Sequence, residues 1–271
     1  MSLFIASINS GSNGNCYYVG NASEAVLIDA GISCRETEKR LKRLGLAIEK
    51  IKAIFISHEH SDHIRGVQVL SAKFKLPVYI TETTLKNSSL QLDETLVRSF
   101  RADETVTIGN LCIKPFPKLH DASDPYSFIV SGNGVNIGVL TDIGSACEHV
   151  ISNFKECHAA FLEANYDDEL LENGHYPYYL KSRIRGDKGH LSNLQALAIF
   201  TEHKSEFMSH LILAHLSKDN NCPKLVEELF SKHATNTHVS VASRYCESPV
   251  YEVALNFVPT NLFVNENNLI L

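Results

Sequence analysis

Hydrophobic and polar positions alternate along the chain between short apolar runs and longer amphipathic stretches. Residues 3–8 and 16–19 read as short strands around a turn-rich segment, Ser10-Gly11-Ser12-Asn13-Gly14-Asn15. Residues 24–29 form another strand, ending in Asp29-Ala30-Gly31. A helix starts well after it: Ser33 is a cap, Glu36 stands three residues on, and Gly45 follows the basic end Lys42-Arg43. The run Ala53-Ile54-Phe55-Ile56 predicts a buried strand. It feeds a polar stretch, His58 to His63, and then a helix from about Ile64 to Phe74. Strands are expected at 77–80, 105–108, 111–116, 127–130, 136–140, 158–162, 210–214 and 237–241. Helices are expected at 194–203 and 224–232, and the tail, 239–271, reads as strands and turns. With no repeat and no low-complexity linker, this rhythm predicts an α/β layered fold in one domain, residues 1–271.

Composition narrows the classes. At 271 residues, 44% hydrophobic and 21% charged, the chain can bury a sizeable core, which excludes wholesale disorder. No apolar run approaches the roughly 20 residues of a membrane span, and residues 1–20 lack the basic-then-apolar pattern of a secretory leader. Seven scattered cysteines without a CxxC argue against a disulfide framework and for a reducing compartment, the cytoplasm. Thirteen histidines against two methionines and no tryptophan point toward metal. Lys+Arg 25 and Asp+Glu 31 leave a net charge of −6, which does not advertise a polyanionic partner. The four positive charges of two divalent ions would bring that to −2 and concentrate them at one point, so a phosphodiester substrate stays open.

The strongest chemical signal is Ser57-His58-Glu59-His60-Ser61-Asp62-His63, which reads His-x-His-x-Asp-His on a loop leaving a buried strand. A short loop can turn His58 and His60 to one point and Asp62 and His63 to a second point nearby. Imidazole with carboxylate suits zinc, manganese or iron better than magnesium or calcium. One loop cannot complete two metal sites, so partners are expected at other strand ends. Asp142 ends an apolar strand, His215 follows Leu211-Ile212-Leu213-Ala214, and His120 follows the strand-like 111–116. A lone His or Asp in such a place is more often a turn or cap; in this order, after this loop, they converge on one reading.

These landmarks resemble a metallo-β-lactamase-fold hydrolase: Asp29, His58 to His63, His120, Asp142 and His215 occur in the family's order. The resemblance implies an αββα four-layer sandwich, two β-sheets covered by helices, with metals at one edge. By family pattern, His58, His60 and His120 hold the first ion, Asp62, His63 and His215 the second, and Asp142 bridges them. Asp29 hydrogen-bonds the ligand loop rather than touching metal. Within the superfamily the chain is similar to the bacterial YycJ/WalJ group. The likeness rests on Ser10 to Cys16, on Glu59 and Ser61, on His120-Asp121-Ala122 and on Gly189-His190-Leu191-Ser192-Asn193. That group is associated with nucleic-acid cleavage. The chain shows neither the inserted second domain of related degradative ribonucleases nor the long arm of the tRNA-processing ones, which favours DNA over RNA.

Two ions roughly 3.5–4 Å apart can share a water, lower its pKa and give a bridging hydroxide that attacks phosphorus. Asp62 can both ligate metal and orient that nucleophile. The departing alkoxide still needs a proton, and His190, just before a capped helix, is the candidate acid. Glu163, at the end of the strand 159–162, can fix its tautomer and favour its charged form; related tRNA-processing enzymes use a comparable pair. The segment 166–188 begins acidic and turns aromatic and basic. Tyr179, Lys181, Arg183, Arg185 and Lys188 are candidate contacts for bases and phosphates, read against the alternative of a solvated surface loop. The leading expectation is a dinuclear phosphodiesterase, an exonuclease acting on DNA or RNA, with no membrane partner. A thioester or lactam hydrolase of the same fold, or a non-catalytic metal-stabilised nucleic-acid-binding module, are the competing readings. The missing export leader and helical substrate domain weigh against the former, and the full ligand set weighs against the latter.

Overall fold

The computed structural model describes residues 2–255. Chain order runs β1 (Leu3–Asn9), β2 (Cys16–Gly20), β3 (Ala25–Ile28), α1 (Cys34–Arg43), β4 (Ile51–Phe55), α2 (Ser61–Ile64), α3 (Val67–Phe74), β5 (Val78–Tyr79), α4 (Glu82–Asn87) and β6 (Val97–Arg98). Then come β7 (Val106–Ile108), β8 (Leu111–Pro117), β9 (Tyr126–Gly132), β10 (Val135–Leu140), α5 (Glu148–Phe154), β11 (Ala159–Glu163), α6 (Asp168–Asn173) and α7 (Tyr178–Arg185). The described chain ends with α8 (Asn193–His203), β12 (His210–Ala214), α9 (Pro223–Ser231), β13 (His238–Val241) and β14 (Tyr251–Val253). One sheet has the order β14-β1-β2-β3-β4-β5-β6 and the other β13-β12-β11-β10-β9-β8-β7. In both, antiparallel pairs give way to parallel ones: β3 to β6 in the first sheet, β10 to β13 in the second.

The apolar runs follow from burial on both faces of each sheet. Along β1, Leu3 and Ile5 join a core shared with the other sheet, while Ala6 and Ile8 face the opposite side. Tyr17 and Val19, then Val26 and Ile28, point inward, whereas Cys16, Tyr18, Ala25 and Leu27 meet the layer containing Leu41 and Leu70 of α1 and α3. The second sheet does the same. Ala159, Phe161, Ile212 and Ala214 enter the shared core, and Ala160, Leu162, Leu211 and Leu213 meet residues of α5, α8 and α9. Period-two alternation with both sets apolar makes a strand read as a continuous hydrophobic run. Three cores separated by two sheets make four layers, the α/β sandwich expected from the resemblance.

Several elements depart from the sequence expectation. The helix expected from about Ile64 to Phe74 is two helices, α2 starting at Ser61 and α3 at Val67. Gly66 divides them because its backbone lies on another loop: its N–H donates to Ala30 O at 2.8 Å, and a Cβ there would meet Ile32 O at 1.9 Å. The segment 166–188 is not a loop but contains α6 and α7. Asp167 caps α6 through the backbone N–H groups of Glu169 and Leu170, and Pro177 precedes α7. Helices α4 and α5 and the short β6 were also not expected. Of the tail reading, 239–241 and 251–253 are strand, and residues 256–271 lie outside the described residues.

Three loops interlock beside the shared core. Asn15 N–H donates to Asp62 O at 2.7 Å, Gly31 N–H to Asn15 O at 2.8 Å, and Ala30 N–H to His63 O at 2.9 Å. Gly31 permits this approach, since a Cβ at that position would lie 1.6 Å from Asp62 O and 2.7 Å from Asn15 N. Backbone cannot yield as a flexible side chain would. Gly31→Ala is therefore expected to lower unfolding free energy by about 1–3 kcal/mol and to reduce metal uptake by the loop carrying Asp62. A denaturant titration paired with metal analysis checks this, and an unchanged midpoint with full metal content contradicts it.

Candidate metal centre

Every polar residue of the cluster sits just past a strand or in a loop that strands define. Asp29 follows β3, residues 57–63 follow β4, His120 lies between β8 and β9, Asp142 follows β10, Glu163 ends β11 and His215 follows β12. Both sheets thus deliver their strand ends to one edge. Asp29, Asp142 and His215 turn the chain there with φ of 60°, 54° and 55°. This left-handed region is open to few side chains, Asp, Asn and His among them. The turn halts each strand and brings its polar side chain to the edge.

Four of the imidazoles are held by Nδ1, which turns Nε2 to the centre, while His60 Nδ1 lies 3.1 Å from His58 Nε2. His63 Nδ1 is 2.7 Å from Asp29 Oδ2, His120 Nδ1 is 3.0 Å from Gly189 O, and His215 Nδ1 is 3.0 Å from Glu163 Oε1. His58 Nδ1 is 2.9 Å from Ser57 Oγ, which itself donates to Asp29 Oδ2 at 2.7 Å. Such contacts fix the tautomer and ring plane of a metal-binding histidine. Facing nitrogens and carboxylate oxygens gather into groups whose donor atoms lie within 4.8 Å of one another: His58, His60 and His120 in one, Asp62, His63 and His215 in another. Asp142 stands between them, with Oδ2 3.1 Å from His63 Nε2 and Oδ1 3.5 Å from His215 Nε2 and 3.8 Å from His120 Nε2.

These residues fit a divalent ion by a direct criterion. Asp142 Oδ2, His120 Nε2 and His215 Nε2 are buried and have no hydrogen-bond partner, a costly condition unless something else binds them. The donor set, imidazole nitrogen and carboxylate oxygen, supplies what a transition metal takes. Without metal the charges sort unevenly. Burial pushes His58 well below the usual imidazole range and His120 down to about 4. Burial works the same way on His63 and His215, but it is outweighed there. Asp142, Asp29 and Asp62 hold His63 well above that range, and Asp142, Asp62 and Glu163 raise His215 to about 10. Burial also opposes ionisation of Asp142 and Glu163, yet His215 and His63 keep Asp142 well below the carboxylate range, and His190 and His215 hold Glu163 at about 2.

Glu163 is fully buried, and it does more than its position at a strand end suggested. Oε1 lies 2.8 Å from His190 Nδ1 as well as 3.0 Å from His215 Nδ1, and Oε2 accepts from the backbone of Ile143 at 2.6 Å. His190 and His215 are thereby tied to one carboxylate, their ring centroids 5.2 Å apart. Both rings line a cavity of about 210 Å³, together with Asp121, Tyr176, Arg183 and Ser217. From α7, Leu180, Arg183 and Ile184 face this cavity at helical spacing. Arg183 reaches Asp121 Oδ2 at 2.5 Å. Of the other basic-segment residues, Arg185 pairs with Glu172 at 2.6 Å and Lys181 Nζ donates to Glu172 O, while Tyr179 and Lys188 are exposed. None of these four lines the cavity.

Three supporting residues escaped the sequence reading. Asn15 Nδ2 lies 3.2 Å from Asp62 Oδ2 and 3.1 Å from His63 Nε2. Asn165 Nδ2 donates to His215 O at 2.8 Å, and the buried Lys118 Nζ donates to Thr141 O at 2.6 Å. Asn15 stands in the segment 10–16 that carries part of the family likeness but has no role assigned to it in the sequence, and Lys118 stands two residues before His120, so proximity to a landmark was the available signal.

The charge pattern sets a pH dependence for protein stripped of metal. For His63 and His215, whose folded values are raised, stabilisation is complete below the unfolded imidazole value of about 6.5 and is lost as pH rises through the folded value, about 10 for His215. For Glu163, whose folded value is lowered to about 2, stabilisation is present above the unfolded value and is lost as pH falls through the folded one. In excess chelator the melting temperature is expected to fall between pH 6.5 and pH 10, and metal-loaded protein is expected to resist that fall. A flat chelated profile across this window contradicts the charge assignment.

Comparison with known proteins agrees with the fold. The family described as Beta-lactamase superfamily domain matches residues 24–216. Exodeoxyribonuclease YycJ of Bacillus anthracis is 34% identical over 230 residues, covering 83% of this chain and 86% of that protein. Exodeoxyribonuclease WalJ of Streptococcus pneumoniae serotype 2 (strain D39 / NCTC 7466) is 34% identical over 221 residues, 80% of this chain and 82% of the relative. Among solved structures, the metallo-beta-lactamase fold protein YhfI from Bacillus subtilis superposes with a TM-score of 0.71 at 18% identity, covering 92% of this chain and 99% of that one, a likeness of fold. By fold, site and sequence, the chain belongs to the β-lactamase superfamily, as a metallo-β-lactamase-fold hydrolase similar to the YycJ and WalJ exodeoxyribonucleases.

Proposed function

We propose that this hydrolase is a dinuclear metal-dependent phosphodiesterase that degrades nucleic acid from an end, DNA in preference to RNA. One observation carries the proposal: Asp142 stands between two donor groups, and a carboxylate-held histidine stands beside them at a cavity. The names of the YycJ and WalJ relatives support the substrate class. In this reading His58, His60 and His120 hold one ion, Asp62, His63 and His215 the other, and Asp142 serves both. Zinc or manganese suits the set, and iron is compatible with it. When bound, the ions supply Lewis acidity toward a phosphoryl oxygen and acidify a water. The whole chain, residues 1–271, acts as one domain of this kind, and its seven free cysteines fit a reducing cytoplasm.

The chain's own residues do the rest. Asp62, partly exposed at the edge of the cluster and braced by Asn15, orients the attacking water. As that oxygen bonds to phosphorus and releases its proton to solvent, the opposite phosphorus–oxygen bond breaks and its oxygen takes a proton from His190, which solvent then reprotonates. Glu163 engages His190 through Nδ1, which leaves Nε2 as the donating nitrogen, and it stabilises the ring while charged. Arg183, with its guanidinium beside the cavity, meets a substrate phosphate in exchange for Asp121. Tyr179, Lys181, Arg185 and Lys188 extend that contact along α7 and beyond it, where the exposed Tyr178 and Tyr179 rings offer stacking surfaces.

Labelled single- and double-stranded DNA and RNA, with a thioester and a lactam as counter-substrates, test the assignment. Cleavage of DNA from one end is expected, lost with chelator and in Asp62→Ala. Turnover of the thioester or lactam alone rejects it. His190→Ala is expected to keep its full metal content and lose about 10²–10⁴-fold in kcat; a variant that turns over like the parent removes the acid role.

A further inference from the structure

A second cavity, of about 220 Å³, adjoins the first across Leu216 and Ser217, which line both. Its wall carries Lys218, Arg244, Ser243, Asn221 and Tyr245 and no acidic residue. Two cations face one small space, and neither has a carboxylate partner among the described residues. Arg244 Nη2 donates to Ser12 Oγ at 3.1 Å, on the rim of the first cavity, while Arg244 Nη1 is buried without a hydrogen-bond partner. Asp219, next to Lys218, accepts from Tyr176 Oη at 3.0 Å. The Tyr245 ring is 74% exposed beside Arg244.

This wall is rigidly joined to the metal centre. Ser10 N–H donates to Ser243 O at 3.1 Å and Asn13 Nδ2 to Arg244 O at 2.8 Å, so residues 243–244 rest on the turn that carries Asn15. Ser10 Oγ accepts from His215 N–H at 2.7 Å. A substrate strand running from the first cavity past Leu216 and Ser217 would therefore meet a cationic cavity lined in part by the exposed Tyr245.

We propose that this second cavity is a nucleotide subsite in which Lys218 and Arg244 bind a substrate phosphate while Tyr245 stacks the adjoining base. The inference rests on the nucleic-acid reading above and adds to it the place where the strand continues past the reacting bond. The bound group is a phosphate, carried by the terminus or by the backbone.

Fluorescence anisotropy tests this with metal-loaded protein and phosphorothioate-linked oligothymidylates, which resist cleavage. Three probes carry a 5′-phosphate, a 3′-phosphate or neither. The K218A/R244A variant is expected to bind at least tenfold more weakly, with its salt slope reduced by about 1.4 for two lost contacts to single-stranded phosphates. Y245A, which removes an exposed ring, is expected to bind about tenfold more weakly with an unchanged slope. Melting temperature and metal content establish that each variant is folded. A loss confined to one end-phosphorylated probe assigns a terminal phosphate, and an equal loss on all three assigns the backbone. Parent-like affinity and slope in both variants overturn the subsite. A parent that binds through these residues but does not cleave DNA or RNA overturns only the nuclease assignment, and a parent that binds none of the probes overturns both.

Discussion

The centre depends on the buried carboxylate of Asp29. It accepts from the backbone and hydroxyl of Ser57 at 2.8 and 2.7 Å and holds His63 Nδ1 at 2.7 Å. Those contacts fix both ends of the polar segment, Ser57 just past β4 and the imidazole of His63 within α2. Ser57 in turn reaches His58 Nδ1, so one acid orients two rings. Buried without these donors, an ionised carboxylate would be strongly destabilising. The backbone bonds of Asn15, Ala30 and Gly31 close the arrangement from the other side. Loop shape and donor direction are thus a single property.

Charge balance is the second theme. Burial alone would neutralise Asp62, Asp142, Glu163, His58, His63, His120 and His215, and mutual pairing prevents that unevenly, leaving His58 and His120 neutral beside charged His63 and His215. The unpartnered atoms of Asp142, His120 and His215 belong to the same imbalance. Glu163 extends it outward by sharing its carboxylate between the centre and the cavity wall. The carboxylate that holds His215 and the one that holds His190 are therefore the same side chain. Any perturbation of one reaches the other through about 3 Å of hydrogen bond.

Much of this was legible in the residues, and the boundary is physical. Strands buried on both faces must be apolar throughout, so β1 to β4 and β10 to β12 showed themselves as runs. His58 to His63 was readable because six neighbouring residues carry the pattern unaided. Asp142 and His215 were found by the rule that polar residues ending apolar strands gather at a sheet edge. Local reading failed where the cause is distant. The break at Gly66 comes from the carbonyl of Ile32, and Arg244 is held by Ser12, 232 residues away. The helices at 166–188 were hidden because their charges drew attention from their caps, and Glu163 gave no sign of serving His215 across 52 residues.

The left-handed corners at Asp29, Asp142 and His215 carry a consequence for how such a chain ages. Each corner holds a side-chain-bearing residue where glycine would sit without steric penalty, at a cost of about 1 kcal/mol apiece. Durability and chemistry are opposed at two of these addresses on one rim. A descendant released from its reaction gains backbone relief by drifting to glycine at Asp142 or His215, whereas at Asp29 the donors of Ser57 and His63 would lose their buried acceptor. Disuse in this lineage would leave its signature in the codons of those two corners before it touched the sandwich that holds them.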